Sequence, residues 1–212
     1  MDCCELRVLE TRFDRARVAK KLVKYRNNGL AKETRMLVDA LRSEGIGGYT
    51  LLDIGGGIGG VQHELLKAGV AQATNVEASR AYIEASTEEA ARQGVADRVS
   101  ALHGDFVALA PEIPAADIVT LDRVICCYRD AYSLVGLSCA RADRLYGVIY
   151  PRDEWWTRLQ TAIQNAINRV KSDPFRLFVH RSRAIDGMVR AAGFRPRFQR
   201  NTFYWQVVVY GR

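Results

Sequence analysis

An α/β fold, built on a parallel sheet covered by helices on both faces, is predicted by three features of the sequence. Short apolar runs alternate with helical patterns from residue 50 onward. The first run, TLLDI at 50–54, leads straight into Gly55-Gly56-Gly57-Ile58-Gly59-Gly60. Acidic residues then mark the ends of the next runs: Glu77 closes the second and Asp105 follows the third. A strand, a glycine turn and a helix in succession handle anions and nucleotides, because glycine lets a ligand approach the backbone closely.

The elements follow in order. Val18, Leu22 and Tyr25 recur at helical spacing among many lysines and arginines. Asn27-Asn28-Gly29 breaks that helix. A second helix over about 30–44 places Met36, Leu37, Ala40 and Leu41 on one face, and Gly45 with Gly47-Gly48 ends it. Residues 50–54 form the first strand. Val61 to Ala68 is helical, Ala73 to Glu77 is a strand, and Ala81 to Gln93 is a helix closed by Gly94. Val99–His103, Asp117–Asp122 and Arg144–Tyr150 read as the third, fourth and fifth strands. After Pro151 a helix over 155–170 carries Trp156, Leu159, Ile163, Ala166, Ile167 and Val170 on one stripe, expected to be core rather than a hydrophobic wall for a substrate. Ile185 to Ala192 is helical. Phe203 to Tyr210 alternates two apolar sets, so a strand buried on both faces is expected there.

Composition excludes several classes. Charged residues make up 26% and the hydrophobic set 48% of 212 residues, which is a folded composition and not a disordered one. The five cysteines, including Cys3-Cys4 and Cys126-Cys127, show neither a metal-ligand spacing nor a secreted framework. Their odd number suggests thiols in a reducing compartment. MDCCELRVLE places charges where a signal peptide needs an apolar core, and no uncharged apolar run has the ~18 residues of a membrane span. A cytoplasmic location is therefore expected, with no integral membrane segment. The net charge of +7 is uneven: residues 51–150 hold 8 Lys and Arg against 13 Asp and Glu, whereas 151–212 hold 12 against 4. A basic tail is either a solvated surface or an attractor of anions. Those anions are a small acidic substrate or, less favoured, nucleic acid or an anionic membrane. No nucleic-acid-binding signature accompanies it.

The glycine loop satisfies two spacings. Gly55, Gly57 and Gly60 fit the dinucleotide pattern G-x-G-x-x-G, and Asp53, Gly55, Gly57 and Gly59 fit D-x-G-x-G-x-G. A carboxylate at the end of the second strand, as at Glu77, suits a grip on two ribose hydroxyls in either case.

LLDIGGGIGG (51–60), NVEAS (75–79), HGDF (103–106) and DIVTLDRV (117–124) stand together in order and spacing. In these segments the chain resembles the class I S-adenosylmethionine-dependent methyltransferases. The resemblance spans about 50–150 and implies a doubly wound, mostly parallel seven-stranded sheet whose last strand is antiparallel. It implies S-adenosyl-L-methionine as cofactor. Gly55, Gly57 and Gly59 would let the backbone pack under the methionine part, and Asp53 would order the loop and approach the ammonium group through water. Glu77, with Ala78 beside it, would hold the ribose. Asp105, after Gly104, would accept from the adenine amino group, and Phe106 would offer its backbone N–H. Asp122 and Arg123 would line the sulfonium end. It also implies one methyltransferase domain over 1–212: cap helices over 1–48, a cofactor-binding core over 49–150, and an inserted cap helix with terminal strands over 151–212.

The acceptor is less defined. Segments after the fourth and fifth strands and the N-terminal helices are expected around it. FVHRSRAIDGMVRAAGF (178–194) has a weak local resemblance to the magnesium-protoporphyrin O-methyltransferases, which does not extend to LDRVICCYRD. It makes His180 the first candidate for a general base, or else a helix-cap neighbour. Tyr128 either orients a substrate or fills core space. Cys126 and Cys127 are read as packing residues. The expected activity is methyl transfer to a small, acidic or aromatic molecule, without nucleic acid. An NAD(P)-dependent oxidoreductase and a non-catalytic binding module on the same fold stand as rivals. The oligomeric state is not legible.

Overall fold

A computed structural model describes residues 6–212, so Cys3 and Cys4 lie outside the described residues. Three helices come first: α1 (Leu6–Arg12), α2 (Arg15–Asn28) and α3 (Lys32–Arg42). Asp14 starts α2 by accepting the Arg17 N–H at 2.9 Å, a side-chain cap for an otherwise orphaned amide. Then follow β1 (Thr50–Ile54), α4 (Gly60–Lys67), β2 (Gln72–Glu77), α5 (Arg80–Arg92), β3 (Val99–His103), α6 (Phe106–Leu109) and β4 (Ala116–Asp122). The remainder is α7 (Ala131–Cys139), β5 (Ala142–Pro151), α8 (Trp155–Val170), α9 (Ser182–Ala191), β6 (Arg195–Asn201) and β7 (Trp205–Gly211).

The seven strands form one sheet in the order β3-β2-β1-β4-β5-β7-β6. β1 pairs in parallel with β2 and β4, and β7 is antiparallel to both β5 and β6. Strand order reverses between β1 and β4. At such a point neighbouring connections run to opposite faces and leave a crevice beyond the strand ends.

Burial on both faces explains the near-continuous apolar runs. Leu52, Val119 and Val148 pack against Leu134 and Val135 of α7 and Val189 of α9. Their chain neighbours Leu51, Ile118 and Ile149 point the other way, onto Leu37 and Leu41 of α3 and Leu65 of α4. Edge strand β6 keeps Arg195, Arg197 and Arg200 exposed, and such charges discourage further strand pairing.

The seven-stranded, mostly parallel sheet expected from the sequence is present; one strand went unread and two local readings need correction. β6 has no apolar run to reveal it, because its outward side is arginine-rich. Phe203 lies outside β7 and is 74% exposed, whereas Gln206–Tyr210 are buried as expected. The largest correction concerns α8. Its inward residues are Thr157, Thr161 and Asn168, and its apolar stripe faces outward rather than into the core. The segment 171–181 explains this. Its backbone lies along α8 and takes hydrogen bonds from amide side chains: Asn168 Nδ2 donates to Phe175 O at 2.9 Å, Asn165 Nδ2 donates to Leu177 O at 2.8 Å, and Leu177 N–H donates to Asn165 Oδ1 at 2.9 Å. A strap of extended backbone needs polar partners, so the polar face of the helix turns toward it.

Candidate active site

The glycine loop between β1 and α4 sits on a buried polar cluster. Asp53 is fully buried at the end of β1. Its Oδ1 accepts from Thr120 Oγ1 at 2.7 Å and its Oδ2 from Gln62 Nε2 at 3.2 Å. Burial pushes its carboxyl up to about 7, against the lowering effect of those two donors. Asp53 thus ties β1, β4 and α4 together beneath the loop.

Gly57 has φ of 59° and turns its N–H to Glu77 Oε2 at 3.0 Å. A Cβ there would stand 3.7 Å from the Tyr82 ring and 3.9 Å from Lys21 Nζ, filling open space between loop and helices. Gly59, with φ of 81°, does something else. A Cβ on it would lie 2.7 Å from the His63 ring, so its bareness lets α4 pack against the loop.

Glu77 reaches the same place from β2. Its Oε1 accepts the Ser79 N–H at 2.9 Å. Burial raises its pKa, while the Ser79 and Gly57 amides and the charge of Lys21 pull it down.

At the end of β4, Asp122 Oδ2 accepts from Thr34 Oγ1 of α3 at 2.6 Å. Asp122 Oδ1 is buried and makes no hydrogen bond among the described residues, since Arg123 Nε stands 3.6 Å away. Arg123 holds φ at 62°, a costly angle for a side-chain-bearing residue. It is over-determined by its neighbours: its N–H donates to Ile149 O at 2.9 Å, its guanidinium pairs with Glu33 at 3.3 Å, and it lies 5.3 Å over the Trp205 ring.

These residues surround one cavity of about 790 Å³ beyond the carboxyl ends of β1, β2 and β4. Asp53, Gly55, Gly57, Glu77, Ala78, Gly104, Phe106, Asp122, Arg123 and Tyr128, all named from the sequence, line it. Gly59, Asp105 and His180 do not. Asp105 caps α6, accepting the Val107 N–H at 3.2 Å, and it also takes the Tyr128 hydroxyl. The Tyr128 hydroxyl is thereby tied to Asp105, just beyond the end of β3. His180 is half-buried. Its Nε2–H is committed to the Tyr128 carbonyl at 2.8 Å, and burial lowers its pKa. That geometry gives His180 the structural role of fixing the Tyr128 backbone, and His180 does not line this cavity.

The cover comes from α1, α2 and the strap, not from α8. Leu9 and Phe13 of the N-terminal region, Tyr25 of α2, Phe175 and Leu177 of the strap, and Trp205 of β7 line the cavity. None was identified from sequence, since each is an ordinary apolar residue that only the packing of distant elements brings over the sheet. Lys21 was also missed. It stands 3.1 Å from Tyr82 Oη and 5.0 Å over that ring.

The donor set suits S-adenosylmethionine. A buried carboxylate faces a cradle that a Cβ at Gly57 would begin to fill, and an unpartnered carboxylate oxygen marks the other end.

Comparison with known proteins agrees with this geometry. Residues 52–144 match the family model described as a methyltransferase domain. No curated protein sequence matches the chain. Among solved structures, a magnesium protoporphyrin IX methyltransferase from Synechocystis with bound SAH is 17% identical. It superposes with a TM-score of 0.71 over 96% of this chain and 95% of that one. An O-methyltransferase family protein from Burkholderia thailandensis is 19% identical, with a TM-score of 0.67 over 88% of this chain and 58% of that one. A family 2 O-methyltransferase from Planctomyces limnophilus, in complex with apigenin, is 14% identical, with a TM-score of 0.61 over 87% and 62%. At such identities the likeness is one of fold. Residues 52–144 thus match a methyltransferase domain, and the whole sheet has the Rossmann-like fold of the methyltransferases.

Proposed function

We propose that this chain binds S-adenosylmethionine in the cavity over β1, β2 and β4 and methylates a small, partly apolar, anionic molecule. The observation that carries the reading is a single cavity with a ribose-type carboxylate at one end and Asp122 with Arg123 at the other. Glu77 would hold the ribose hydroxyls, the loop amides around Gly57 the methionine part, and Ala78 and Phe106 the adenine. Asp105 would serve the adenine amino group only by sharing its carboxylate with Tyr128. When bound, the cofactor supplies a methyl group already activated by its sulfonium, so the protein's task is alignment and exclusion of water.

This chain's own residues support that task. Phe13, Tyr25, Phe175 and Trp205 give the cavity apolar walls that exclude water. Lys21, Lys24 and Arg123 supply positive charge at its rim and floor. Arg123 would hold an acidic acceptor, with Glu33 fixing its guanidinium. Asp122, which lines the cavity, would take a hydrogen bond from an acceptor hydroxyl, and a carboxylate acceptor would need no general base at neutral pH. The chain is similar in fold to a magnesium protoporphyrin IX methyltransferase and to an O-methyltransferase family 2 protein in complex with apigenin, and the flat organic molecules in those names support a small acceptor here.

The test is release of S-adenosylhomocysteine over a panel of small carboxylates and phenols, with RNA and duplex DNA alongside at physiological salt. Turnover with a carboxylate or phenol, lost in Arg123→Met, is the expected result. Turnover with nucleic acid alone would overturn the acceptor assignment.

A further inference from the structure

The outward face of α8 is an exposed apolar stripe with a basic border. Trp155 is 71% exposed, Leu159 and Ile163 53% each, and Val170 86%. Ala162, Ala166 and Ile167 lie between them and are exposed as well. Phe203, in the turn between β6 and β7, stacks on Trp156 with ring centroids 6.2 Å apart and extends the stripe beyond the helix. Single exposed apolar residues need no explanation, but a contiguous stripe over four turns does.

The charge around it indicates what covers it. α8 contains Arg158 and Arg169 and no acidic residue. The two are eleven positions apart, three helical turns, so both fall on the same edge of the stripe. Lys171 follows at the end of the helix, exposed like Arg169, and Arg152 lies 5.4 Å over the Trp156 ring. Across 151–183 there are seven Lys and Arg against three Asp and Glu. Two of those acids, Asp153 and Glu154, pair with Arg158 and Arg152, so the net charge of the border is carried by Arg169 and Lys171, both exposed. A second copy of the chain would bring the same basic edge and no acidic complement. An anionic lipid surface offers both an apolar layer for the tryptophans and aliphatics and negative headgroups for the arginines. Helices of this make-up lie in the plane of such an interface.

We propose that α8, with Phe203, docks the protein peripherally on an anionic lipid bilayer. No helix among the described residues is long and apolar enough to cross a membrane, so the contact is interfacial. The strap links this face to the cavity. Phe175 and Leu177 line the cavity, while their backbone carbonyls are held by Asn168 and Asn165 from the inner face of α8. The contact would thus set the cavity's cover close to the bilayer.

The test uses the full chain and sucrose-loaded vesicles of phosphatidylcholine, alone or with about one-third phosphatidylglycerol, at about 0.15 M salt. Expected are sedimentation with the anionic vesicles at least about tenfold above the neutral ones, and a blue shift of tryptophan emission that Trp155→Phe diminishes. Ile163→Glu and Leu159→Glu should each cut the binding by about tenfold or more while melting at the wild-type temperature, since both side chains are exposed. Equal binding of wild type and both folded variants would overturn the proposal. So would failure to bind anionic vesicles, including the case in which the chain sediments as a dimer that Ile163→Glu splits, for then a second copy covers the face.

Discussion

Glu77 has both carboxylate oxygens in use, one on the Gly57 amide and one on the Ser79 amide. It is held in place before any ligand arrives, and under the proposed function ribose hydroxyls would have to share it. Glu77→Gln keeps the shape and removes the charge. Its expected cost to S-adenosylhomocysteine affinity is about 1.5–3 kcal/mol, the scale of a hydrogen bond to a charged group, read by isothermal titration. An unchanged affinity in a folded variant would remove Glu77 from the site. Asp53 gives a second residue-scale prediction. Its folded pKa, about 7, lies above the usual carboxylate value. The folded state therefore holds its proton more tightly than the unfolded chain, and this group's contribution to stability is full below about pH 4 and is lost as pH rises through 7. Asp53→Asn should remove that loss, flattening the melting temperature between pH 4 and 7. Gln62 can turn its amide to meet the new Nδ2, because its Oε1 has no partner. A slope as steep as wild type would show that Asp53 is not the group responsible. Glu77 was legible because a carboxylate at the end of a second strand, 18 residues beyond Gly59, has few other uses. His180 was not, because its partner is a carbonyl 52 positions away that no spacing rule reaches.

At the scale of elements, α8 and the strap depend on two asparagines. Asn165 both donates to and accepts from Leu177, and Asn168 donates to Phe175. Asn165→Ala leaves two strap groups without partners, so a loss of about 1–3 kcal/mol in urea unfolding is expected. Amide exchange at 175–178 should quicken, and because Phe175 and Leu177 line the cavity, S-adenosylhomocysteine should bind more weakly. Wild-type exchange in the variant would mean that other contacts hold the strap. The sequence showed that 155–170 is an amphipathic helix, and that holds. Periodicity reports which residues share a face and not which face turns inward. That choice went to the backbone of the strap, whose hydrogen-bonding groups only the polar face satisfies.

For the whole molecule, the cavity draws on β1, β2, β4, β7, the three N-terminal helices and the strap. Binding there should therefore stabilise the entire fold. At a hundredfold excess over its dissociation constant, S-adenosylhomocysteine should add about 2.7 kcal/mol. For a chain of this size that raises the melting midpoint by about 5–10 °C, and NADH should leave it unmoved. A rise with NADH and none with S-adenosylhomocysteine would reverse the cofactor assignment.

The sequence by itself determined the alternation of strands and helices, the glycine loop, and the carboxylates Asp53, Glu77 and Asp122 at the strand ends. All of these are local: a short apolar run, a turn that needs bare backbone, a charge that must stop a strand. The tertiary structure alone decided that the strap, and not α8, joins the N-terminal helices over the cavity, that Tyr128 is bonded to Asp105, and that the apolar stripe of α8 faces outward. Those depend on segments far apart in the chain competing for the same surface, and the winner is set by which partner satisfies the most backbone and side-chain groups once the sheet has formed.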